Sequence, residues 1–174
     1  MKAADFTYCT ANKEELKLSD TLQKADKTFL LFSRYMGCPF CQVDMLELSE
    51  EYSRFVEKNS QILVVLQSAP ETLRSQTVPN EPPFEIICDP KGSLYKLYGV
   101  KVAASTLKMI KPGKKLFRKT VKLLKYRLKH GAYEGNEQQL PALFLLDQER
   151  NILYFHQAAH LADLPDAEEM LSLL

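Results

Sequence analysis

Tryptophan is absent from this 174-residue sequence, and glycine (6) and histidine (3) are sparse. Without tryptophan or interleaved stacking motifs there is little to build a single-stranded RNA surface from. Long apolar runs are missing too. The two longest, near Thr28–Phe32 and Ile62–Leu66, are far too short to cross a bilayer. Met1–Asn12 has no apolar core and no cleavage-site pattern, so a secretory leader is not expected. The expected location is therefore the cytoplasm, a reducing compartment. There the four cysteines serve as catalytic, metal-binding or free thiols rather than as a disulfide framework. One absence is local: from Lys101 to His130 there is no Asp or Glu, although that segment holds 11 of the 23 Lys and Arg residues. The net charge of +1 conceals this asymmetry.

What remains is ordinary for a globular protein, with 45% hydrophobic and 26% charged residues. The length suits a single domain over residues 1–174. Leu16, Leu18 and Leu22 suggest a first helix over Glu14–Lys24. Thr28–Tyr35, Ile62–Gln67 and Phe84–Cys88 read as buried strands. Cys41, Met45, Leu48, Tyr52 and Phe55 follow helical spacing and predict one long helix over Pro39–Lys58. A short helix is expected over Glu71–Gln76, and another over Leu94–Tyr98, stopped by Gly99. Ala142–Asp147 and Ile152–His156 flank QERN as a hairpin, and Asp166–Leu174 closes the chain as a helix. Strands alternating with helices give an α/β fold of three layers, a central mixed sheet flanked by helices. The first long strand delivers the GCPFC stretch to the carboxyl edge of that sheet, where open α/β sheets place their sites.

Cys38 and Cys41 stand three positions apart around Pro39 and Phe40. With Cys38 at the start of a helix, the unpaired N–H groups and the helix dipole favour its thiolate. Cys41 lies one turn deeper on the same face, within reach and less exposed. That arrangement supplies an attacking thiol and a resolving thiol. A zinc half-site is the alternative, but Cys9, Cys88, His130, His156 and His160 form no second close pair, so no metal is expected. Two packed core cysteines are the other alternative. Arg34 is a candidate to support the thiolate. Tyr35 is a candidate donor to a sulfur or a substrate oxygen, or else an aromatic packed beneath the site. Asp89 reads as a helix cap, Cys88 as a packed residue and Cys9 as an oxidisable bystander.

A hydrophobic strand, then RYMGCPFCQVDMLELSEEYSRF, resembles the thioredoxin-like superfamily. More closely it resembles the peroxiredoxin-like branch of the alkyl hydroperoxide reductase/thiol-specific antioxidant group, the peroxiredoxin-like 2 and selenoprotein U branch. ICDPKGSLYKLYGV and LPALFLLDQERNILYFHQAAHLADLP extend the likeness over most of the chain from about Thr28. The resemblance implies a redox-active dithiol without bound cofactor. It implies reduction by an external thioredoxin- or glutathione-like system and a protein disulfide or a peroxide as substrate. It also implies a substrate groove at Pro39, Leu140 and Pro141, with a cis Leu140–Pro141 bond. The pattern departs at two positions. Peroxiredoxins carry a proline seven residues and a Thr or Ser three residues before the peroxidatic cysteine. Counted from Cys38, those positions are Leu31 and Tyr35; counted from Cys41, they are Arg34 and Cys38. The expected activity is accordingly thiol–disulfide exchange by Cys38 and Cys41. A thiol peroxidase with Cys38 peroxidatic is the alternative enzyme, and a binding module using the basic helix is the non-enzyme.

The basic stretch sits in an insert over residues 101–136, before the last two strands. Phe117, Val121, Leu124 and Leu128 make a helical apolar stripe. The expectation is a helix docked by that stripe with its Lys and Arg face in solvent. Neither nucleic acid nor membrane receives a firm signal. A position beside the cysteines is a further expectation for the insert.

Overall fold

The computed structural model describes residues 1–75 and 81–174. In chain order its elements are β1 (Thr7–Tyr8), β2 (Leu16–Lys17), α1 (Leu18–Thr21), β3 (Lys27–Phe32), α2 (Pro39–Glu50), α3 (Tyr52–Glu57) and β4 (Ser60–Leu66). They continue as α4 (Pro70–Ser75), β5 (Glu85–Cys88), α5 (Ser93–Leu97), α6 (Lys114–Lys125), β6 (Ala142–Asp147), β7 (Ile152–Gln157) and α7 (Ala167–Leu171). Five strands form one mixed sheet in the order β5-β4-β3-β6-β7. β4 runs parallel to β3, β5 parallel to β4, and β6 antiparallel to β3.

Alternation along the central strands sorts side chains to the two faces. Leu30, Phe32, Leu63, Val65 and Phe144 join Leu18, Leu22 and Tyr95 on one side. Phe29, Leu31, Ile62, Val64 and Leu145 join Met45, Leu48, Phe55 and Met170 on the other. Two apolar layers thus grip β3, and its carboxyl end cannot move without disturbing both. Tyr95 locks that end from below: its hydroxyl reaches the Ser33 and Val65 carbonyls at 2.8 and 2.9 Å. Asp89 caps α5, accepting from the Ser93 and Leu94 backbone N–H groups at 3.0 and 2.7 Å.

Several boundaries differ from the sequence reading. The first helix starts at Leu18, after a left-handed residue at Glu15 (φ 56°) and a short strand pair between β1 and β2. The single long helix is two, because Glu51 leaves helical geometry (φ −98°, ψ 1°) between α2 and α3. The helix expected over Glu71–Gln76 runs Pro70–Ser75, and Gln76 lies outside the described residues.

The largest departure is α6, which docks the opposite way round. Lys119 is its buried residue, at 4% exposure, whereas Phe117 and Leu124 are 73% and 74% exposed. The reason is the surface it meets. α2 presents Asp44, Glu47 and Glu50, and the α7 region presents Asp166 and Glu169. Lys119 pairs with Asp44 at 2.5 Å, Lys122 pairs with Glu47, Lys115 pairs with Glu169 at 2.6 Å and Arg118 pairs with Asp166 at 2.9 Å. Tyr126 donates to Glu50. The acidic stripe on the body selects the basic face of the helix. Truncating Lys119 (Lys119→Ala) should therefore strand Asp44 and lower stability by about 3 kcal/mol. Phe117→Ser should change it by less than about 0.5 kcal/mol. Urea unfolding of the two variants checks this; the reverse ranking would mean that the stripe faces inward.

Candidate active site

Cys38 is the N-cap residue of α2, in extended conformation (φ −77°, ψ 116°), and Pro39 occupies the first helical position. Its N–H donates to the Tyr35 carbonyl at 3.1 Å, which closes the turn that begins where β3 ends. Gly37 is required there by close approach rather than by strain. A Cβ on Gly37 would lie 2.3 Å from the Ala132 carbonyl oxygen. Gly131 N–H donates to the Gly37 carbonyl at 2.9 Å.

Those contacts bring the end of the insert over the cysteines. Tyr35 hydroxyl pairs with His130 Nε2 at 3.1 Å, and His130 stacks on Tyr133 at 4.0 Å. Glu134 accepts from Ser68 Oγ at 2.5 Å and from Ala69 N–H at 3.1 Å. Gln67 accepts from Asn136 N–H at 2.8 Å. Arg34 Nη2 donates to the Glu137 carbonyl at 2.5 Å. Cys38 is consequently 0% exposed. The expectation of a Cys38 more exposed than Cys41 does not hold, because residues 130–137 cover the turn.

Arg34 leaves the end of β3 and turns its guanidinium toward the site. Nη1 lies 3.4 Å from Cys38 Sγ, and the guanidinium sits 4.9 Å from the Tyr35 ring centroid. The Cys41 thiol, directed at the Cys38 sulfur, is the largest influence on Cys38. Together with Arg34 and the Cys41 backbone N–H it outweighs burial and brings the Cys38 pKa down to about 6. Cys41 is driven the other way, first by burial, then by its hydrogen bond to Cys38 and by the Cys38 charge. Ser33, whose buried hydroxyl has no hydrogen-bond partner among the described residues, lies close enough to offset part of this. Two identical side chains one helical turn apart thus have opposite proton affinities.

Tyr35 is fully buried and packs with Cys38, Cys41 and Phe40. Burial pushes its hydroxyl up to about 12, and that hydroxyl serves His130 rather than a sulfur. Leu140 is buried in a cluster that includes Phe40 of the CPFC turn, which places the Leu140–Pro141 step beside it. The bond itself is trans, since no cis peptide bond occurs among the described residues. An extended path lets Leu140 N–H reach the Lys101 carbonyl at 3.1 Å and lets the Pro141 carbonyl accept from Ala158 N–H at 3.1 Å. Among the described residues, no three His, Cys, Asp or Glu side chains gather as a metal site.

Sequence reasoning missed three participants. Ser33 was hidden inside an apolar strand. Asp44, half-buried three residues past Cys41, is raised in pKa by desolvation and in turn opposes the Cys38 thiolate. Lys119 neutralises Asp44 from across the insert. A lone Asp among the apolar positions of α2 was the one available signal.

The family model described as the AhpC/TSA family matches residues 1–155. No curated protein sequence matches the chain. Among solved structures, peroxidoxin BcpB from Mycobacterium tuberculosis is similar at a TM-score of 0.65 and 16% identity, covering 99% of this chain and 93% of that one. A yeast mitochondrial 1-Cys peroxiredoxin gives 0.67 and 15% over 98% and 71%. A putative thiol:disulfide interchange protein DsbE from Chlorobium tepidum gives 0.61 and 20% over 99% and 94%. At these identities the likeness is one of fold, the thioredoxin-like fold expected from the sequence.

The asymmetry at the cysteine pair is measurable. Alkylation of Cys38 by iodoacetamide should follow a single ionisation near pH 6. Arg34→Met and Cys41→Ala should each move that midpoint upward, because each removes a group that stabilises the thiolate. Midpoints unchanged in both variants would sink the assignment.

Proposed function

The chain belongs to the AhpC/TSA family, and from that premise we propose that it is a thiol–disulfide oxidoreductase whose redox centre is the Cys38–Cys41 pair. Membership makes it a thiol-dependent redox enzyme served by a thiol reductant; the finer reading rests on the site. The observation that carries it is the opposed poise of the two thiols, a Cys38 ionised near neutrality beside a Cys41 that holds its proton.

The reaction follows from that poise. Displacement of residues 130–137 uncovers Cys38. Its thiolate attacks one sulfur of a substrate disulfide; the substrate S–S bond breaks, one substrate thiolate leaves and a mixed disulfide forms. The Cys38 charge is then gone, and with it two of the reasons that keep Cys41 protonated. Cys41 gives its proton to the departing thiolate or to solvent and attacks the Cys38 sulfur. The second substrate thiol leaves, and two electrons have passed to the substrate. An external dithiol or glutathione-type reductant then restores the pair. Support for that class of partner comes from the yeast relative, whose thiol-resolving mechanism runs through glutathione and thioredoxin systems. The exchange chemistry needs the pair reduced between turnovers, as a reducing compartment such as the cytoplasm maintains, and we propose that location.

Peroxide reduction is the competing chemistry, favoured by family membership alone. The test supplies reduced protein with an insulin-type disulfide and, separately, with hydrogen peroxide. Turnover of the disulfide should exceed that of the peroxide. Cys38→Ser should abolish turnover, and Cys41→Ser should accumulate a mixed disulfide at Cys38. Faster peroxide turnover, with a sulfenic acid trapped at Cys38 in Cys41→Ser, would replace exchange with thiol peroxidase activity.

A further inference from the structure

Cys9 and Cys88 are far apart in sequence yet directly opposite in space. They are Cα partners in an antiparallel bridge, and Cys88 N–H donates to the Cys9 carbonyl at 2.9 Å. We propose that Cys9 and Cys88 form a second redox pair, a thiol–disulfide switch that ties the amino-terminal segment to the edge strand of the sheet. Opposed residues in a hydrogen-bonded antiparallel pair have Cα atoms about 5.5 Å apart, inside the range of about 4.4–6.8 Å that a disulfide spans. Closing the bond therefore needs side-chain rotation and little backbone movement. The two side chains already face each other.

The two thiols differ in access. Cys9 is half-buried and opens on a cleft lined by Lys13, Arg74, Glu14 and Glu71, whereas Cys88 is buried. Burial and the neighbouring Cys9 together push the Cys88 thiol up to about 12. Cys9 is thus the entry point. It attacks a small disulfide of the glutathione disulfide class, the S–S bond breaks, one glutathione leaves as thiolate and Cys9 carries the other. Cys88 loses its proton to solvent, attacks the Cys9 sulfur and expels the second glutathione. Two electrons pass from the protein to glutathione disulfide. The product closes a loop that contains β3 and the whole of α2, so it stabilises the fold around the CPFC turn.

The experiment uses the full chain with Cys38→Ser and Cys41→Ser, which removes the first pair from the readout. Incubation with glutathione disulfide should give a Cys9–Cys88 disulfide in peptide mass spectra. The melting temperature should rise by several degrees, reversibly on reduction. Adding Cys88→Ala should instead leave a persistent Cys9–glutathione adduct. A lasting adduct with Cys88 present, a disulfide between two chains, or no modification would each overturn the switch.

The outward face of α6 carries a second inference on different evidence. Phe117, Val121 and Leu124 lie on one helical face, flanked on that face by Lys114 and Lys125, and all five are exposed. In the segment that leads into α6, Leu107 and Ile110 are exposed too, with Lys108 and Lys111 next to them in sequence. Among the described residues none of these four ammonium groups pairs with a carboxylate, unlike the inward Lys115, Lys119 and Lys122. We infer that this face seats on an anionic lipid surface. A helix of this pattern sinks its apolar strip to the headgroup boundary, and its lysines meet lipid phosphates. A second copy is the poorer occupant, because a two-fold contact here sets lysines against lysines in a segment that holds no Asp or Glu.

Co-sedimentation with vesicles of phosphatidylcholine mixed with phosphatidylglycerol, against phosphatidylcholine alone, tests this. Binding should be at least about tenfold stronger to the anionic vesicles, since each lysine near the surface contributes about 1 kcal/mol, and should weaken with salt. Phe117→Glu with Leu124→Glu should abolish it without lowering the melting temperature. Equal binding to both vesicles, no binding, or a dimer in solution that the double variant splits would each overturn it.

Discussion

A negative charge on a sulfur that water does not reach is the constraint around which this molecule is organised. Cys38 is covered completely, and a buried thiolate left alone is unfavourable by several kcal/mol. The site answers with polar groups aimed at the sulfur: the Cys41 thiol, the Arg34 guanidinium and the Cys41 N–H. Each depends on something further away. Arg34 is held by the Glu137 carbonyl and lies against Tyr35. Tyr35 is held by His130, and Gly37 by Gly131. The insert is therefore both the cover that removes water and part of the frame that keeps the guanidinium in place. On the proposed mechanism, displacing it would uncover Cys38 and loosen the Arg34 contact together.

The same balance explains why α6 is mounted with its lysines inward. Fully burying a Phe or Leu side chain is worth roughly 1.5–3 kcal/mol, whereas an exposed ion pair contributes about 0–1 kcal/mol. On those numbers alone the apolar stripe should win. It loses because α2 carries the half-buried Asp44 close to the cysteines. A partly desolvated carboxylate without a cation would oppose the Cys38 charge, and the buried Lys119 is the group that offsets it. Once Lys119 is committed, helical geometry carries Lys115 and Lys122 to the same side, where Glu169 and Glu47 wait. Phe117 and Leu124 are turned outward as a consequence, and the free energy left in that stripe can be recovered only from outside the chain.

Much of this was legible from the residues. The strands of the main sheet, the cysteine turn, the Asp89 cap and the closing hairpin all follow from local periodicity and turn chemistry, which the sequence displays directly. The two α2–α3 segments were read as one because Glu51 has no helix-breaking character, so nothing in the local sequence marks its departure from helical geometry. The direction of α6 was illegible in principle, since amphipathicity says that a helix has two faces but not which one its host will take. Reading it required the acidic stripe of α2, visible only once Asp44 and Glu47 share a surface with α7. The pairing of Cys9 with Cys88 was invisible for the same reason: it depends on a bridge between a terminal segment and an edge strand. The trans Leu140–Pro141 bond corrects an inference carried by resemblance rather than by any residue of this chain.

The placement of hydroxyls bears most closely on the chemistry. A peroxide-reducing site needs a donor that orients the terminal oxygen beside the attacking sulfur. At the position where such a hydroxyl is expected stands Tyr35, whose oxygen points to His130 and is held there. The hydroxyl that does lie inside the site, on Ser33, acts on Cys41 instead. A hydroxyl near the second thiol favours that thiol as an anion, which suits the resolving role proposed for Cys41. It does nothing for an oxygen approaching Cys38. Leu31, buried among Phe29, Met45 and Leu145, packs the strand that fixes the turn, at the position where the resembled pattern carries a proline. Under the proposed exchange chemistry, the polar groups of the site thus serve the cysteine pair itself rather than an oxygen approaching Cys38.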